Sequence, residues 1–194
     1  MNCSWTKPNA NDQQCIRLQL GREPRGLLGV ACRCRHGFPQ VIVNRPLHLS
    51  GEELQVFPTV YWLSCPYVNA QIAKLESGGA IGRLQEMLAG NETMERALNL
   101  AHSQYAQARM ALVPDDAARR LQKQYPRRYR VLRDSGIGGI RSKTGLKCLH
   151  THGAHSLAGG ENPIGRWVLD QIHDYEGCPT GRCQEELQAY AGSH

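Results

Sequence analysis

One short segment, Lys147–His155, places one thiol and three imidazoles within nine residues. If this segment is helical, Cys148, His152 and His155 share one face, because residues at i, i+4 and i+7 stack at 3.6 residues per turn. His150 then points to nearly the opposite side. A sulfur and two ring nitrogens on one face provide half of a metal site or of a catalytic centre. The segment therefore predicts a functional site without defining its substrate.

Two further thiols lie at the ends of predicted elements. Cys34 falls in a tight connection between two predicted strands, where a side chain can point away from the strand ladder towards a metal. Packing as a small apolar side chain is an equal alternative for Cys34 and the favoured interpretation for Cys32. Cys65 precedes Pro66, which suits the first position of a helix, so Cys65 is the predicted N-cap. The helix dipole should lower the pKa of this thiol, which suits a ligand or a nucleophile; the alternative is a cysteine packed under the strand–helix corner.

Basic residues accompany a glycine-rich segment before the first cluster. Residues 135–147 form a predicted loop that enters the helix of Cys148, and this loop contains Arg141, Lys143 and Lys147. A helix N-terminus with nearby cations can hold an oxyanion. The Gly-Lys-Ser/Thr ending of a P-loop is absent, and a mobile loop is an equal alternative.

The longest predicted helix, Asn91–Leu112, carries His102 and Arg109 seven positions apart, so the two share a face. They could meet an anion or a carboxylate, although a satisfied surface pair is the interpretation we favour. Arg33, next to Cys34, is a further candidate for binding a phosphoryl group.

The stretch from residue 117 to residue 133 is the most basic part of the chain. Its cations are Arg119, Arg120, Lys123, Arg127, Arg128, Arg130 and Arg133. Tyr125 and Tyr129 are interleaved with them, and such rings can stack against bases. A solvated helix face, split by Pro126, explains the same pattern. The net charge of +6 and the pI near 9.0 favour anionic partners without specifying one.

The 194 residues suit one compact domain, and an apolar content of 41% is enough for a core. No apolar run reaches the length of a membrane span, and the N-terminus lacks the apolar region of a secretory signal. We therefore expect a cytoplasmic protein without a membrane partner. In that compartment the eight cysteines are expected to be reduced thiols or metal ligands.

Hydrophobic periodicity predicts a single α+β domain with a small antiparallel sheet covered by several helices. The predicted strands are Ile16–Leu20, Leu27–Ala31, Phe38–Val43 and Val56–Leu63, with a loop at Pro46–Gln55. We divide the chain into a flexible N-terminal tail (1–15), the α+β domain (16–174) and a C-terminal tail (175–194). The C-terminal tail contains Cys178 and Cys183, whose spacing allows a small metal loop or a reversible disulfide.

Several short motifs follow one another between about Gly26 and Trp167. They are Arg33-Cys34 with Gly37 and Pro39, Phe57-Pro58-Thr59, Cys65-Pro66, His102 with Tyr105 and Arg109, Lys147-Cys148-Leu149-His150, Ala154-His155 and Asn162-Pro163. In these motifs the chain resembles the bacterial family known as domain of unknown function 501. The resemblance implies no activity, because the family has none established. It does single out five positions for a site: Cys34, Cys65, Cys148, His150 and His155.

The first functional hypothesis is a metal-binding protein whose ligands come from distant segments. The predicted ligands are Cys34, Cys65, Cys148 and His155, with His150 and His152 as alternates. Three thiolates and one imidazole suit tetrahedral zinc, and thiolates also suit an iron–sulfur cluster. His150 stays a candidate because a helix that begins after Cys148 would place it in the first turn, where it could turn inward.

The second hypothesis is a hydrolase acting on a phosphorylated or otherwise anionic substrate. Its candidate catalytic residues are Cys65, Cys148 and His150, and its candidate anion-binding residues are Arg33, Arg109, Arg141, Lys143 and Lys147. A thiol with an imidazole base, or a metal-activated water, would carry out the attack. The third hypothesis is a nucleic-acid-binding regulatory module that uses residues 119–133 and binds more weakly as salt increases.

Overall fold

The computed structural model describes residues 4–50, 53–142 and 145–192, apart from the side chains of residues 49 and 50. Within these ranges, one helix precedes the strands of two small antiparallel sheets, and the other helices follow them. The arrangement confirms the predicted α+β class. No helix in the described ranges is long and apolar enough to cross a lipid bilayer.

Five short strands in the described part of the chain form the two sheets. The strands are β1 (Leu27–Arg33), β2 (Pro39–Asn44), β3 (Leu47–Ser50), β4 (Glu53–Val56) and β5 (Tyr61–Leu63). The larger sheet has the order β1-β2-β5, and β3 pairs with β4 as a separate hairpin. Every residue of β2 is buried, because both faces of the strand are covered: Val41 and Val43 belong to the main core, and Ile42 packs in a second cluster with Ile16.

Nine α-helices are present in the described residues. They are α1 (Ala10–Leu20), α2 (Pro66–Ser77), α3 (Ala80–Ala89), α4 (Glu92–Met110), α5 (Asp115–Gln124), α6 (Pro126–Asp134), α7 (Leu149–Leu157), α8 (Pro163–Asp170) and α9 (Arg182–Ala191). The main core combines apolar residues of β2 and β5 with those of α2, α4, α7 and α8, among them Val43, Ile72 and Leu149. Helix α7 contacts α2, α8 and β5, so the segment rich in histidine lies against the core.

The predicted strand at residues 16–20 is wrong, because these residues belong to α1. A capping box formed by Asn9 and Asp12 begins this helix, and Gly21 ends it with a φ of 65°. The alternating apolar residues that suggested a strand begin at Ile16 and end at Leu20. These two residues are also one helical turn apart, so the sequence pattern fits both a strand and a helix. The helix begins inside the segment assigned to a flexible tail, and the mobility of that segment stays a prediction.

The strand predicted at residues 56–63 is only partly present. Val56 ends β4 and Tyr61–Leu63 form β5, while Pro58 lies between them in a segment without a ladder. Proline cannot donate a main-chain hydrogen bond, which accounts for the shorter strand. The predicted loop at residues 46–55 contains the β3–β4 hairpin instead, whereas the strands predicted at residues 27–31 and 38–43 are confirmed as β1 and β2.

The C-terminal segment contains α9, which packs against α1. Here Cys183 and Cys15 lie close enough to change each other's pKa, which is raised for Cys15 and lowered to about 6 for Cys183, with the neighbouring thiol as the largest cause in both cases. The Gln19 side chain also donates to the Cys183 sulfur at 3.4 Å. Cys178 accepts instead from the hydroxyl of Thr180 at 3.9 Å. The cysteine pair formed by the fold therefore lies between α1 and α9.

Candidate metal centre

Three potential metal ligands meet where α2 ends and α7 begins. Glu76 lies in the last turn of α2, Cys148 is the N-cap of α7 and His150 lies in its first turn. One carboxylate oxygen, the sulfur and one ring nitrogen all lie within 4.8 Å of one another. In the described part of the chain, no other three His, Cys, Asp or Glu residues converge in this way.

The contacts of His150 orient both of its ring nitrogens. Nδ1 lies 3.5 Å from the sulfur of Cys148 and 3.4 Å from Oε2 of Glu76. Nε2 lies 3.2 Å from the main-chain oxygen of Asn69. A neutral ring whose Nε2–H donates to this carbonyl directs the lone pair of Nδ1 towards the thiol and the carboxylate. Metal-binding histidines commonly have their second nitrogen held in this manner.

The N-terminus of α7 holds Glu76 in place. The main-chain N–H of Leu149 donates to Oε1 of Glu76 at 2.6 Å. The first amides of a helix have no partner within the helix, and the positive end of the helix dipole favours a carboxylate. One oxygen of Glu76 thus binds the helix end while the other faces His150.

The electrostatics of this group favour a cation. The pKa of His150 is raised, first by its hydrogen bond with Cys148 and further by the charge of Glu76, while burial acts in the opposite direction. The side chains of His150 and Glu76 are about one-quarter exposed, at 26% and 25%. A proton or a metal ion could supply the positive charge that this site attracts.

Sequence reasoning missed Glu76. It is separated from Leu149 by 73 positions, and only the packing of α2 against α7 brings the two together. No motif distinguishes this carboxylate from the other acidic residues of the chain. A helix that begins after Cys148 was expected to place His150 in its first turn, where the side chain could turn inward. Helix α7 does begin at Leu149, and His150 contacts Cys148.

The structure places Cys65 at the predicted N-cap, followed by Pro66 at the first helical position. The predicted decrease in the pKa of this thiol is wrong. The thiol is buried, and burial raises its pKa by more than the nearby main-chain amides of Val68 and Tyr67 lower it. Desolvation of the thiolate thus outweighs the favourable helix end.

The four predicted ligands do not come together as one group. Among the described residues, no three of Cys34, Cys65, Cys148 and His155 have ligand atoms within 4.8 Å of one another. Cys34 lies half-buried in the turn after β1, where its N–H donates to the main-chain oxygen of Phe38 at 2.9 Å. This four-ligand set stays a prediction.

His152 and His155 are buried on the inner side of α7. The ring of His155 stacks on Tyr61 at a centroid distance of 6.0 Å and meets Tyr105 edge-on at 5.1 Å. Burial lowers the pKa of His155 to about 4 and that of His152 to about 3. Both imidazoles are therefore neutral at pH 7 and contribute to the packing of the core.

Arg109 is fully buried, and His102 is almost so. The interpretation of these two as a surface pair is therefore wrong. The guanidinium of Arg109 donates to main-chain oxygens of Pro58, Leu132, Ser135 and Gly136. Its donors thus join α4 to two other segments, and its assignment to an anion site stays a prediction.

The other candidates for anion binding have different surroundings. Arg33 forms a bidentate pair with Asp12 at 2.6 and 2.9 Å. Lys147 donates to the main-chain oxygen of Gly138 at 3.0 Å. Arg141 is exposed, and Lys143 lies outside the described residues. An anion site built from these residues stays a prediction.

The basic stretch forms α5 and α6, with the break before Pro126 as expected. Its two tyrosine rings contact the chain's own cations. Arg128 lies 4.9 Å from the ring centroid of Tyr125, and Arg133 lies 5.6 Å from that of Tyr129. A base that stacks here would have to displace these arginines, and nucleic-acid binding stays a prediction.

A family model described as "Protein of unknown function (DUF501)" matches residues 30–170 of this chain. The chain belongs to this family. The DUF501 match confirms the resemblance found in the sequence motifs and includes Glu76, Cys148 and His150, whereas α1 and α9 lie outside it. No curated protein and no solved structure matches the chain. The chemistry of the site must therefore be argued from its residues.

Proposed function

We propose that this DUF501 protein binds a divalent metal ion, with zinc as the best match, through Glu76, Cys148 and His150. The observation that carries the proposal is the convergence of a carboxylate oxygen, a sulfur and a ring nitrogen in one partly exposed group. Zinc accepts all three atom types as ligands. An iron–sulfur cluster takes several cysteine ligands, of which this group offers one, so zinc is favoured.

Three protein ligands leave a fourth position for water or substrate, as in catalytic zinc sites. A bound zinc ion supplies a Lewis acid that lowers the pKa of such a water. Around that position, the carbonyl of Asn69 keeps the Nδ1 lone pair of His150 available, and the first turn of α7 orients Glu76. Hydrolysis of an anionic substrate is the reaction class that suits an open site of this kind on a basic protein. A cytoplasmic location, where thiols stay reduced, is part of the proposal.

A second candidate function needs no metal. The contact of 3.5 Å between Cys148 and His150, together with the raised pKa of the imidazole, would let His150 accept the thiol proton and form a thiolate–imidazolium pair. In that state Cys148 would be a nucleophile and His150 its proton acceptor and donor. Glu76 would then stabilise the imidazolium rather than bind a metal ion.

Elemental analysis of protein purified without chelator tests the first proposal. Wild type should contain about one zinc ion per chain after reconstitution, in keeping with a single three-ligand site. Removal of a residue that only hydrogen-bonds to a metal ligand lowers metal affinity by about 10- to 100-fold. Cys148→Ser removes a ligand itself, so it should lower the affinity by at least as much. Glu76→Gln keeps an oxygen that can accept from Leu149 and removes only the charge. The control is Cys178→Ser, since Cys178 lies outside the group and its loss should leave the zinc content unchanged.

A metal-free wild type, or equal zinc contents in wild type and Cys148→Ser, would refute the metal proposal.

The second candidate is tested by alkylation of metal-free protein at pH 6 to 7. His150→Ala should slow the reaction of Cys148, because the imidazolium that stabilises the thiolate is lost. Equal alkylation rates would rule out the thiolate–imidazolium pair.

A further inference from the structure

A pocket of about 990 Å³ is formed by residues outside the candidate metal centre. Its walls come from the loop between α1 and β1, the end of β2, the β3–β4 hairpin and the segment that leads into β5. This volume is in the range of small-molecule sites, about 300–1,000 Å³.

Arginines dominate the charge of this pocket. Arg22, Arg25 and Arg45 line it together with one acid, Glu23, which is paired with Arg17. The side chains of Arg25 and Arg45 are exposed. Within the described residues, their guanidinium groups form no hydrogen bond or ion pair. Free guanidinium groups of this kind match the geometry of phosphate oxygens.

Aromatic rings provide the apolar part of the wall. Phe57 is 40% exposed, which is unusual for a large apolar side chain, and its ring contacts His48 edge-on at 5.0 Å. The indole N–H of Trp62 donates to the main-chain oxygen of Thr59 at 2.8 Å, which fixes the ring. Arg22 lies 5.5 Å from the centroid of Trp62. Nucleic-acid bases stack on aromatic rings beside cations, and a base that stacks on Trp62 would have to displace Arg22, as at Tyr125 and Tyr129.

Asn44 supplies an independent indication of a ligand. Asn44 is one of the residues that line the pocket and is 3% exposed, and its Oδ1 and Nδ2 are buried without a hydrogen-bond partner in the described structure. A buried carboxamide left without partners is unfavourable, so a rotation of this side chain into the pocket would be stabilised by a ligand that supplies both a donor and an acceptor. The N6 and N7 edge of adenine offers that pair of groups.

We propose that this pocket binds a nucleotide, with its phosphates at Arg25 and Arg45, its base against Phe57 and Trp62, and the edge of the base at Asn44. The inference goes beyond the proposed metal binding and does not depend on it. The nucleotide unit could belong to a free nucleotide or to a single-stranded nucleic acid.

Calorimetric titration of the full chain with ADP, in the presence of a chelator, tests the proposal. Wild type should bind one ADP per chain, and adenosine and inorganic pyrophosphate should each bind more weakly than ADP. Arg45→Gln should weaken ADP binding about tenfold, because one charge-assisted phosphate contact is lost. Arg119→Gln, the same charge change on the exposed surface of α5, should leave it unchanged.

Asn44→Leu provides a second variant with a readout that does not involve binding to the arginines. It should weaken ADP binding while the chain stays at least as stable in urea, because the replaced carboxamide has no partner in the free protein. A decrease in stability would show that the carboxamide is already bonded and would overturn its assigned role.

Competition with a short single-stranded oligodeoxyadenylate separates the two sources of the nucleotide unit. Tighter binding of the oligonucleotide than of ADP, with displacement of ADP, supports the nucleotide site and identifies a nucleic-acid strand as its source. Binding of ADP alone supports it with a free nucleotide as the source. The proposal is overturned if ADP binds no more tightly than pyrophosphate, if binding does not saturate, or if Arg45→Gln and Arg119→Gln weaken it equally.

Discussion

Acidification below pH 6.5 should destabilise the protein, because the core holds neutral imidazoles. His155 is 3% exposed, and burial lowers its pKa to about 4, whereas in the unfolded chain it returns to about 6.5. Between these two values the unfolded state binds a proton that the folded state does not bind. The free energy of unfolding therefore decreases as the pH falls from 6.5 towards 4 and is unaffected by His155 above that window.

The expected size of the effect follows from the two pKa values. Each pH unit inside the window lowers stability by about 1.4 kcal/mol for one histidine, so at pH 5 His155 alone accounts for about 2 kcal/mol. The variant His155→Phe removes the titrating group and keeps an aromatic ring beside Tyr61 and Tyr105. Its stability should thus lack this part of the pH dependence.

Urea unfolding followed by far-UV circular dichroism, with EDTA present to exclude metal binding, measures the difference. Between pH 7 and pH 5 the wild type should lose about 2 kcal/mol more than His155→Phe. Between pH 8 and pH 7 the two should change equally, which serves as the internal control. Equal losses between pH 7 and pH 5, within the error of the extrapolation to zero urea, would refute the assignment of a buried neutral imidazole.

Three further predictions concern other contacts. Tyr105→Phe removes a hydroxyl that accepts from two main-chain amides at 2.9 and 3.3 Å, and should lower the free energy of unfolding by about 1–3 kcal/mol in a urea titration; an unchanged value would contradict these bonds. Arg109→Met leaves four main-chain oxygens without their donor and should destabilise by about 3 kcal/mol or more, whereas a purely anion-binding Arg109 would show little change without ligand. Mild oxidation with diamide should link Cys15 to Cys183, as mapped by peptide mass spectrometry, and a link from Cys178 to Cys183 would show that the observed pairing is wrong.

Part of the candidate site could be predicted because its chemistry lies within a short stretch of sequence. Cys148 and His150 are two positions apart, and their side chains are in contact at the start of α7. Glu76 could not be predicted in this way. It reaches the site only because α2 packs against α7, and no local pattern encodes that long-range contact.

The fold class was accessible from periodicity, whereas two local predictions failed for different physical reasons. Five residues at the end of α1 satisfy both a strand and a helix pattern, and the capping signals at Asn9 and Gly21 were the evidence that could have decided for the helix. The pKa of Cys65 depends on how deeply the N-cap of α2 is buried. Burial is a property of the packed chain, so the sequence revealed the helix end and not its desolvation.

X-ray absorption at the zinc edge of the reconstituted protein tests the central claim most directly, since it counts the sulfur ligands. A zinc ion held by Glu76, Cys148 and His150 should show one sulfur at about 2.3 Å and nitrogen or oxygen ligands at about 2.0–2.2 Å. The single sulfur should disappear in Cys148→Ser. A shell of three sulfurs would contradict this site and favour the ligand set that includes Cys34 and Cys65, and a shell without sulfur would exclude both.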